Sequence, residues 1–346
     1  MKIILRDFGE FLGTNEDSFK IKKNGEILKE IPFENVNEIV IGMRNTVSVD
    51  ALAWASLYNI GVVVTLHNGK PLAVLHSIKD MVNVKTRLNQ FRAYESKKGL
   101  EIAKTVLIQK IKNENNLLKH YNRKSYEQNP KLPNIEDIET VHGTKITQAL
   151  RFKLHRLEEQ FSKYYYAQMF PLLPKWLRIV KRVGRNAVEP YNNLLNLTYE
   201  ILEWKILKAC IKAKMELYLG FLHSVQYGKP SLVLDLIEPF RPYIIHFLMH
   251  YSKTLTSKDF QKHYVTKDRY PRYFLKHETA WNLIENINNK LFEAYVPIQR
   301  KQKYGKRMTF ETFIDEYVCS IAEHINNKRL IISRFPSYSM FSFSFK

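Results

Sequence analysis

Through residues 1–80 the apolar positions come in short blocks separated by turn residues, which is the texture of β structure. Ile3 to Leu5 opens a strand. Ser18 to Lys23 and Glu26 to Phe33 flank Asn24-Gly25, a pair suited to a hairpin because both turn residues must take positive φ. A second such pair, Asn68-Gly69, joins the run 61–66 to the run 71–75. Glu38 to Gly42 reads as a buried strand, and Val49 to Tyr58 as a short helix with Ser48 as its N-cap. His67 and His76 lie on or beside the second hairpin without an acidic neighbour, and read as ordinary strand residues.

From about Met81 the spacing turns helical. Thr86 to Tyr94 and Leu100 to Tyr121 are free of Gly and Pro. In the second of these, Ile102, Val106, Ile108, Ile111 and Leu118 recur at helical spacing, with Lys104, Lys110, Lys112 and Lys119 lining the rest. After the break at Asn129 to Pro133, a helix from Ile146 carries the stripe Ala149, Leu150, Leu154, Leu157, Phe161, Tyr164 and Tyr165. Glu158 falls on that stripe, while Glu159 points about 100° away, beside His155 and Ser162. A Glu at the stripe's edge, partnered by Lys or Arg, is the ordinary reading. Lys175 to Arg185 is a basic loop, and Glu189 to Tyr199 begins a helix with Asn192 and Asn196 on one face. Glu311 to Arg334 is a further amphipathic helix, and Phe335 to Lys346 alternates aromatics with serines. The expected fold class is α+β: a small N-terminal β domain with one inserted helix (1–80), then a larger all-helical domain (81–346).

Composition narrows the partners. The 346 residues carry a net charge of +20. Residues 1–80 hold 9 basic and 10 acidic side chains, and the other 266 hold 45 and 24, so the excess sits in the second part. A field of that sign concentrates polyanions, and nucleic acid is the default partner. The stretch 253–310 mixes Lys262, Lys267, Arg269, Arg272 and Arg300 with Tyr264, Tyr270 and Tyr273, which suits phosphate contacts and base stacking or, equally, a solvated face. Two cysteines, Cys210 and Cys319, exclude a disulfide framework and fit a reducing cytoplasm. No apolar run approaches the roughly 18 residues of a membrane span, and Ile3-Ile4-Leu5 is too short for a signal peptide core. Gly228-Lys229 and Gly305-Lys306 lack the rest of a phosphate-binding loop.

The chemistry-bearing residues cluster in Tyr218 to Pro242. His223 follows an apolar run; Asp235 comes twelve residues later and Glu238 three after that. On a helix or 3-10 turn Asp235 and Glu238 project to one side, among Leu232, Val233, Leu234, Leu236 and Ile237. Carboxylates there need a partner, a hydrogen bond or a cation. Imidazole with carboxylate oxygens suits Mn2+, Mg2+ or Zn2+; an acidic first helical turn explains the same spacing without a metal. His246 and His250 share a helix face, yet no Glu completes a zinc-protease pattern, so they read as core or interface histidines.

Three segments carry a resemblance. Gly220-Phe-Leu-His223, with Pro-Ser-Leu-Val-Leu-Asp235-Leu-Ile-Glu238-Pro-Phe-Arg-Pro242, resembles the signature of the CRISPR adaptation integrase, the nuclease that inserts new spacers into a CRISPR array. Leu157-Glu158-Glu159 followed by Tyr164, Tyr165 and Tyr166 is similar to the family's Ile-Glu-Gly motif and its tyrosines, with Glu159 where glycine is usual. Glu189-Pro-Tyr-Asn192 through Asn196 resembles a third family segment, with Glu189 replacing Asp; the two asparagines could hold a metal-site carboxylate or a phosphate, or cap the helix.

The resemblance implies that Glu158, His223 and Glu238 bind one Mn2+ or Mg2+, with Asp235 adjacent and catalytic, and with Glu159 as the alternative to Glu158. It implies DNA strand transfer by a 3′-hydroxyl, with plain nuclease activity when water replaces it. Lys181, Arg182, Arg185 and Arg241 are the candidate phosphate contacts. The implied partners are double-stranded DNA, a second copy joined through the β domain, and a small second CRISPR-associated protein. The competing readings are a transposon integrase, a DNA-repair nuclease, and a non-catalytic DNA-binding scaffold.

Overall fold

The computed structural model describes residues 1–66, 71–75, 84–184, 186–264, 271–296 and 308–326, and has a mixed α+β fold. His67, His76, the Asn68-Gly69 turn, Arg185 and the tail from 327 lie outside the described residues. The chain divides into two compact units: residues 1–82 with 276–284, and residues 83–275 with 285–346.

The first unit holds β1 (Lys2–Leu5), β2 (Glu10–Thr14), β3 (Ser18–Lys23), β4 (Glu26–Pro32), β5 (Glu38–Gly42), β6 (Thr46–Val47), α1 (Val49–Leu57), β7 (Gly61–Thr65) and β8 (Pro71–Leu75). Its strands form two four-stranded sheets, ordered β1-β5-β7-β8 and β4-β3-β2-β6. The β3–β4 hairpin turns on Asn24 at φ 51 and Gly25 at φ 85, the left-handed pair its turn demands. Ser48 caps α1 by accepting from the Ala51 N–H, and Asn59 at φ 57 ends it. One apolar core receives Leu5, Ile39 and Val62 from one sheet, Leu12, Phe19 and Ile31 from the other, and Ala51 and Ala55 from α1.

The second unit is built on α2 (Val84–Tyr94), α3 (Lys97–His120), α4 (Ile135–Glu139), α5 (Gln148–Met169), α6 (Pro190–Lys212), α7 (Ser231–Ile237) and α8 (Arg241–Tyr251). It is not all-helical. The strands β9 (Phe260–His263) and β10 (Arg272–Leu275) pair antiparallel, as do β11 (Tyr295–Val296) and β12 (Met308–Thr309). β10 is rich in aromatic and apolar residues, which fit a half-buried strand as well as a basic face. Between the two pairs in sequence comes α9 (His277–Ile287), whose residues 277–284 belong to the first unit, and α10 (Phe310–Ile325) follows with its cap at Thr309.

Two breaks set the position of the chemistry. α7 stops at Ile237, Glu238–Phe240 forms a 3-10 turn around Pro239, and α8 restarts with Pro242 near its N-terminus. A proline lacks the N–H that a continuing helix would need, so the chain turns there. The buried Asn113 amide of α3 donates to the Pro239 carbonyl at 2.7 Å and fixes the turn against α3.

Candidate active site

The loop before α7 is held from three sides. Gln90 of α2 donates to the carbonyls of Glu216 and Leu219, both at 2.9 Å. Arg151 of α5 donates to the Phe221 carbonyl at 3.1 Å. Gly220 lies against the backbone of Ser231, where an added Cβ would meet the carbonyl carbon at 2.6 Å; only glycine permits that approach.

Asp235 then closes the loop. One of its oxygens accepts from the Phe221 and Leu222 N–H groups, the latter at 2.9 Å. The other accepts from the His223 N–H at 2.7 Å and lies 2.8 Å from His223 Nδ1. A carboxylate only accepts, so Nδ1 carries a proton; in the neutral ring that leaves the Nε2 lone pair for another partner. Asp235 is 1% exposed and its oxygens are fully engaged. It touches the site through His223 rather than directly.

Glu238, three residues on, meets side chains instead of backbone. Its Oε1 lies 3.1 Å from Arg241 and its Oε2 2.7 Å from the ammonium of Lys110 on α3. The same ammonium donates to Oε1 of Glu158 on α5. Ser162, one turn on, also donates to that oxygen at 3.0 Å, so Ser162 sides with Glu158 and not with Glu159. Glu159 is 60% exposed and pairs with Lys163 at 2.6 Å. Of the two adjacent glutamates, Glu158 is the one that reaches Lys110 and Glu238.

Burial alone would push every acid here upward. The Arg241 and Lys110 charges outweigh it at Glu238, whose pKa is held down to about 2. Burial is likewise outweighed by Lys110 at Glu158, whose pKa is lowered. Burial also opposes the Lys110 charge, but Glu238 and Glu158 prevail and its pKa is raised. Glu114, one turn beyond Lys110, accepts from the Tyr126 hydroxyl at 2.8 Å, and burial pushes its pKa up to about 7. The carboxylates of Glu114, Glu158 and Glu238 surround Lys110, and Arg241 pairs with Glu238.

The donor set fits a hard divalent ion: two carboxylates and an imidazole nitrogen. Oε2 of Glu238 is buried, and the Lys110 ammonium stands against it. Among the described residues no three His, Cys, Asp or Glu groups are gathered closely enough to ligate an ion as they stand, and Lys110 lies between two of them.

Two neighbours were not singled out from sequence. Lys110 counts among the solvated lysines by type, yet it follows Ala103 by seven and Val106 by four, on the buried stripe of α3. His155, one turn before Glu158, stacks edge-on against His223 with ring centres 5.3 Å apart, and burial lowers its pKa.

Of the basic candidates, Arg241 and Arg182 lie over the ring of Tyr199, at 4.9 and 5.4 Å from its centre. Arg182 also donates to Asn192 at 3.4 Å and to Asn196 at 2.5 Å. The Asn196 amide donates to the Gly184 carbonyl at 2.7 Å. The two asparagines thus pin the basic loop to α6. Lys181 is exposed. His246 is buried, with Nδ1 3.0 Å from the Tyr121 hydroxyl.

The chain belongs to the Cas1 family: the sequence model of CRISPR associated protein Cas1 matches residues 3–289. It is 24% identical over 342 residues to the CRISPR-associated endonuclease Cas1 of Korarchaeum cryptofilum, covering 93% of this chain and 94% of that one. Its fold is similar to that of a casposase bound to integration product, with a TM-score of 0.77, 22% identity, and 98% and 94% of the two chains covered. A Cas6-RT-Cas1–Cas2 complex matches with a TM-score of 0.69 and 19% identity, over 98% of this chain and 36% of that one.

Proposed function

We propose that this chain is a divalent-metal-dependent DNA endonuclease and integrase of CRISPR adaptation. It joins the 3′-hydroxyl of incoming duplex DNA to a phosphodiester of the CRISPR array, and cuts when water takes that hydroxyl's place. The supporting observation is that Glu158 and Glu238, from helices far apart in sequence, meet at one point beside the loop of His223.

In this reading Glu158, Glu238 and Nε2 of His223 hold Mn2+ or Mg2+. When bound, the ion neutralises the non-bridging phosphate oxygens and activates the attacking oxygen. The protein's own part is positional. Asp235 holds the imidazole at Nδ1, which would leave Nε2 for the ion. Arg241, anchored by Glu238 and held over Tyr199, would present its guanidinium charge to a phosphate. Arg182 and exposed Lys181 extend that positive edge, and Arg185 belongs to the same loop in sequence.

DNA, a small second protein and a second copy of the chain are the proposed partners. The Cas1–Cas2 complex of like fold supports the second protein. The exposed apolar side chains Ile27 and Leu28 on β4, with Leu72 and Leu75 on β8, support self-association through the first unit. Among the described residues no helix is long and apolar enough to cross a membrane, and Cys210 and Cys319 are unpaired; the cytoplasm is the proposed site of action.

The scaffold reading has one observation behind it: Lys110 already neutralises the two carboxylates. Strand transfer of a short duplex with free 3′-hydroxyls into a supercoiled plasmid separates the readings. Joined product should need Mn2+, vanish with EDTA, and vanish in E158A, H223A and E238A while surviving in E159A. Tight DNA binding without cutting or joining under any metal, with the second protein present, gives the scaffold reading instead.

A further inference from the structure

Lys110 has no task in the chemistry proposed above, yet it is the side chain that touches both carboxylates. Its side chain is 4% exposed, paired with Glu158 and 2.7 Å from Glu238 Oε2. An ammonium is costly to bury unless opposite charge surrounds it. Here it is surrounded by Glu158, Glu238 and Glu114, so the position is built for a positive charge.

The oxygens it occupies are the ones the proposed ion would need. Glu158 and Glu238 each have other support, from Ser162 at 3.0 Å and from Arg241 at 3.1 Å. What Lys110 adds is the charge between them. An ammonium and a divalent ion cannot both stand between the same pair of oxygens, because at that range two cations repel strongly. The flexible four-carbon stem of a lysine lets its nitrogen retreat.

We propose that Lys110 is a resident cation of the site: it holds Glu158 and Glu238 in place in the metal-free protein, and yields their oxygens to the ion on binding. The proposal rests on the reading of those glutamates as metal ligands. Lys110 is a positioning residue in this account. It keeps the carboxylates from spreading before the ion arrives, and it makes every ion bind against a competitor.

The opposed consequences of removing it give the test. Full-length wild type, K110M and K110R are compared by thermal melting without metal and by calorimetric titration with Mn2+. Metal-free K110M should melt about 5 °C below wild type, because two buried carboxylates lose their shared cation. Mn2+ should close that gap, and its Kd for K110M should be about tenfold lower than for wild type, since the ion no longer displaces a lysine. K110R keeps the charge and should stay near wild type in both readouts.

A lysine that only packs the core predicts a melting deficit in K110M that Mn2+ does not close and a Kd that does not fall; either overturns the proposal. If K110M does not fold, wild type supplies the readout: acetylation of Lys110 by acetic anhydride, followed by mass spectrometry, should rise several-fold when Mn2+ is added. Unchanged protection of Lys110 overturns the displacement. Absence of Mn2+ binding in wild type and variants alike overturns the metal reading of Glu158 and Glu238 itself. Binding by wild type with no gain in K110M overturns only the role of Lys110.

Discussion

Asp235 and Glu238 sit one turn apart and are both buried, but the protein satisfies them by different means. Asp235 is met by neutral donors: three backbone N–H groups and the imidazole of His223. Those donors are fixed by the loop and cannot be exchanged. Glu238 is met by charges on side chains, Lys110 and Arg241, which can move. Backbone dipoles make a permanent structure; a mobile ammonium makes a position that another cation can take. The first arrangement builds the loop, and the second leaves chemistry available.

The strongest way to break that contrast is to remove charge from the exchangeable side. E238Q keeps the size of the side chain and discards its charge. Strand transfer should fall at least about a thousandfold, equivalent to about 4 kcal/mol of barrier. Circular dichroism should be unchanged. Retained joining by E238Q would mean that the ionic cluster is structural, and would collapse the distinction between the two carboxylates.

The permanent side predicts a different kind of loss. D235A strands the N–H groups of residues 221–223 in a buried loop. Leaving such donors unmet should lower stability by about 3 kcal/mol in urea unfolding. Mn2+ should not restore it, because no ion supplies what a hydrogen-bond acceptor supplied. Rescue of D235A by Mn2+ would show that Asp235 belongs with the exchangeable group after all.

How much of this was readable beforehand follows the same division. The β3–β4 turn, the Ser48 cap and the inward glutamate of α5 are local matters, settled by residues within a turn or two. Asn24-Gly25 can only be a tight turn, and Glu158 shares a stripe with Leu154 and Phe161 wherever α5 packs. The resemblance in Tyr218 to Pro242 singled out His223, Asp235 and Glu238 but could not divide their work, because the division is made by the chain around them. Lys110 escaped for the same reason. By sequence alone it counts among the lysines lining the rest of α3, because a buried lysine makes sense only once Glu158 and Glu238 arrive from other elements. Asn192 and Asn196 were correctly placed on one face; that they grip the basic loop depends on how that loop folds back. The short β9–β10 ladder was read as part of a basic aromatic stretch, since charge and strand propensity overlap there.

Glu114 gives a pH-dependent edge to the comparison. Its carboxyl binds a proton more tightly folded than unfolded, with a pKa of about 7 against the ordinary 4.5. Its relative stabilisation is therefore complete below about pH 4.5 and is lost as the pH rises through about 7. E114Q stays neutral throughout and still offers the Tyr126 hydroxyl an acceptor. Relative to wild type it should gain about 2 kcal/mol on going from about pH 5 to about pH 8. A flat difference across that range would mean that Glu114 is ionised throughout and that the cluster carries one more negative charge than supposed near neutrality.

The smallest expected effect tests how far Glu158 depends on neutral support. Ser162 donates to the same oxygen as Lys110, so Glu158 combines a fixed hydroxyl with a mobile ammonium. S162A removes the hydroxyl and leaves the ion pair. One hydrogen bond to a carboxylate that keeps its cation should be worth about 1 kcal/mol in urea unfolding. Strand transfer should fall only a few-fold, since the charge and the helix position are untouched. If S162A instead matched E238Q in lost joining while keeping its fold, the hydroxyl would be what orients Glu158. The site would then depend on fixed donors at both of its acids, and the contrast between Asp235 and Glu238 would narrow to the single ammonium of Lys110.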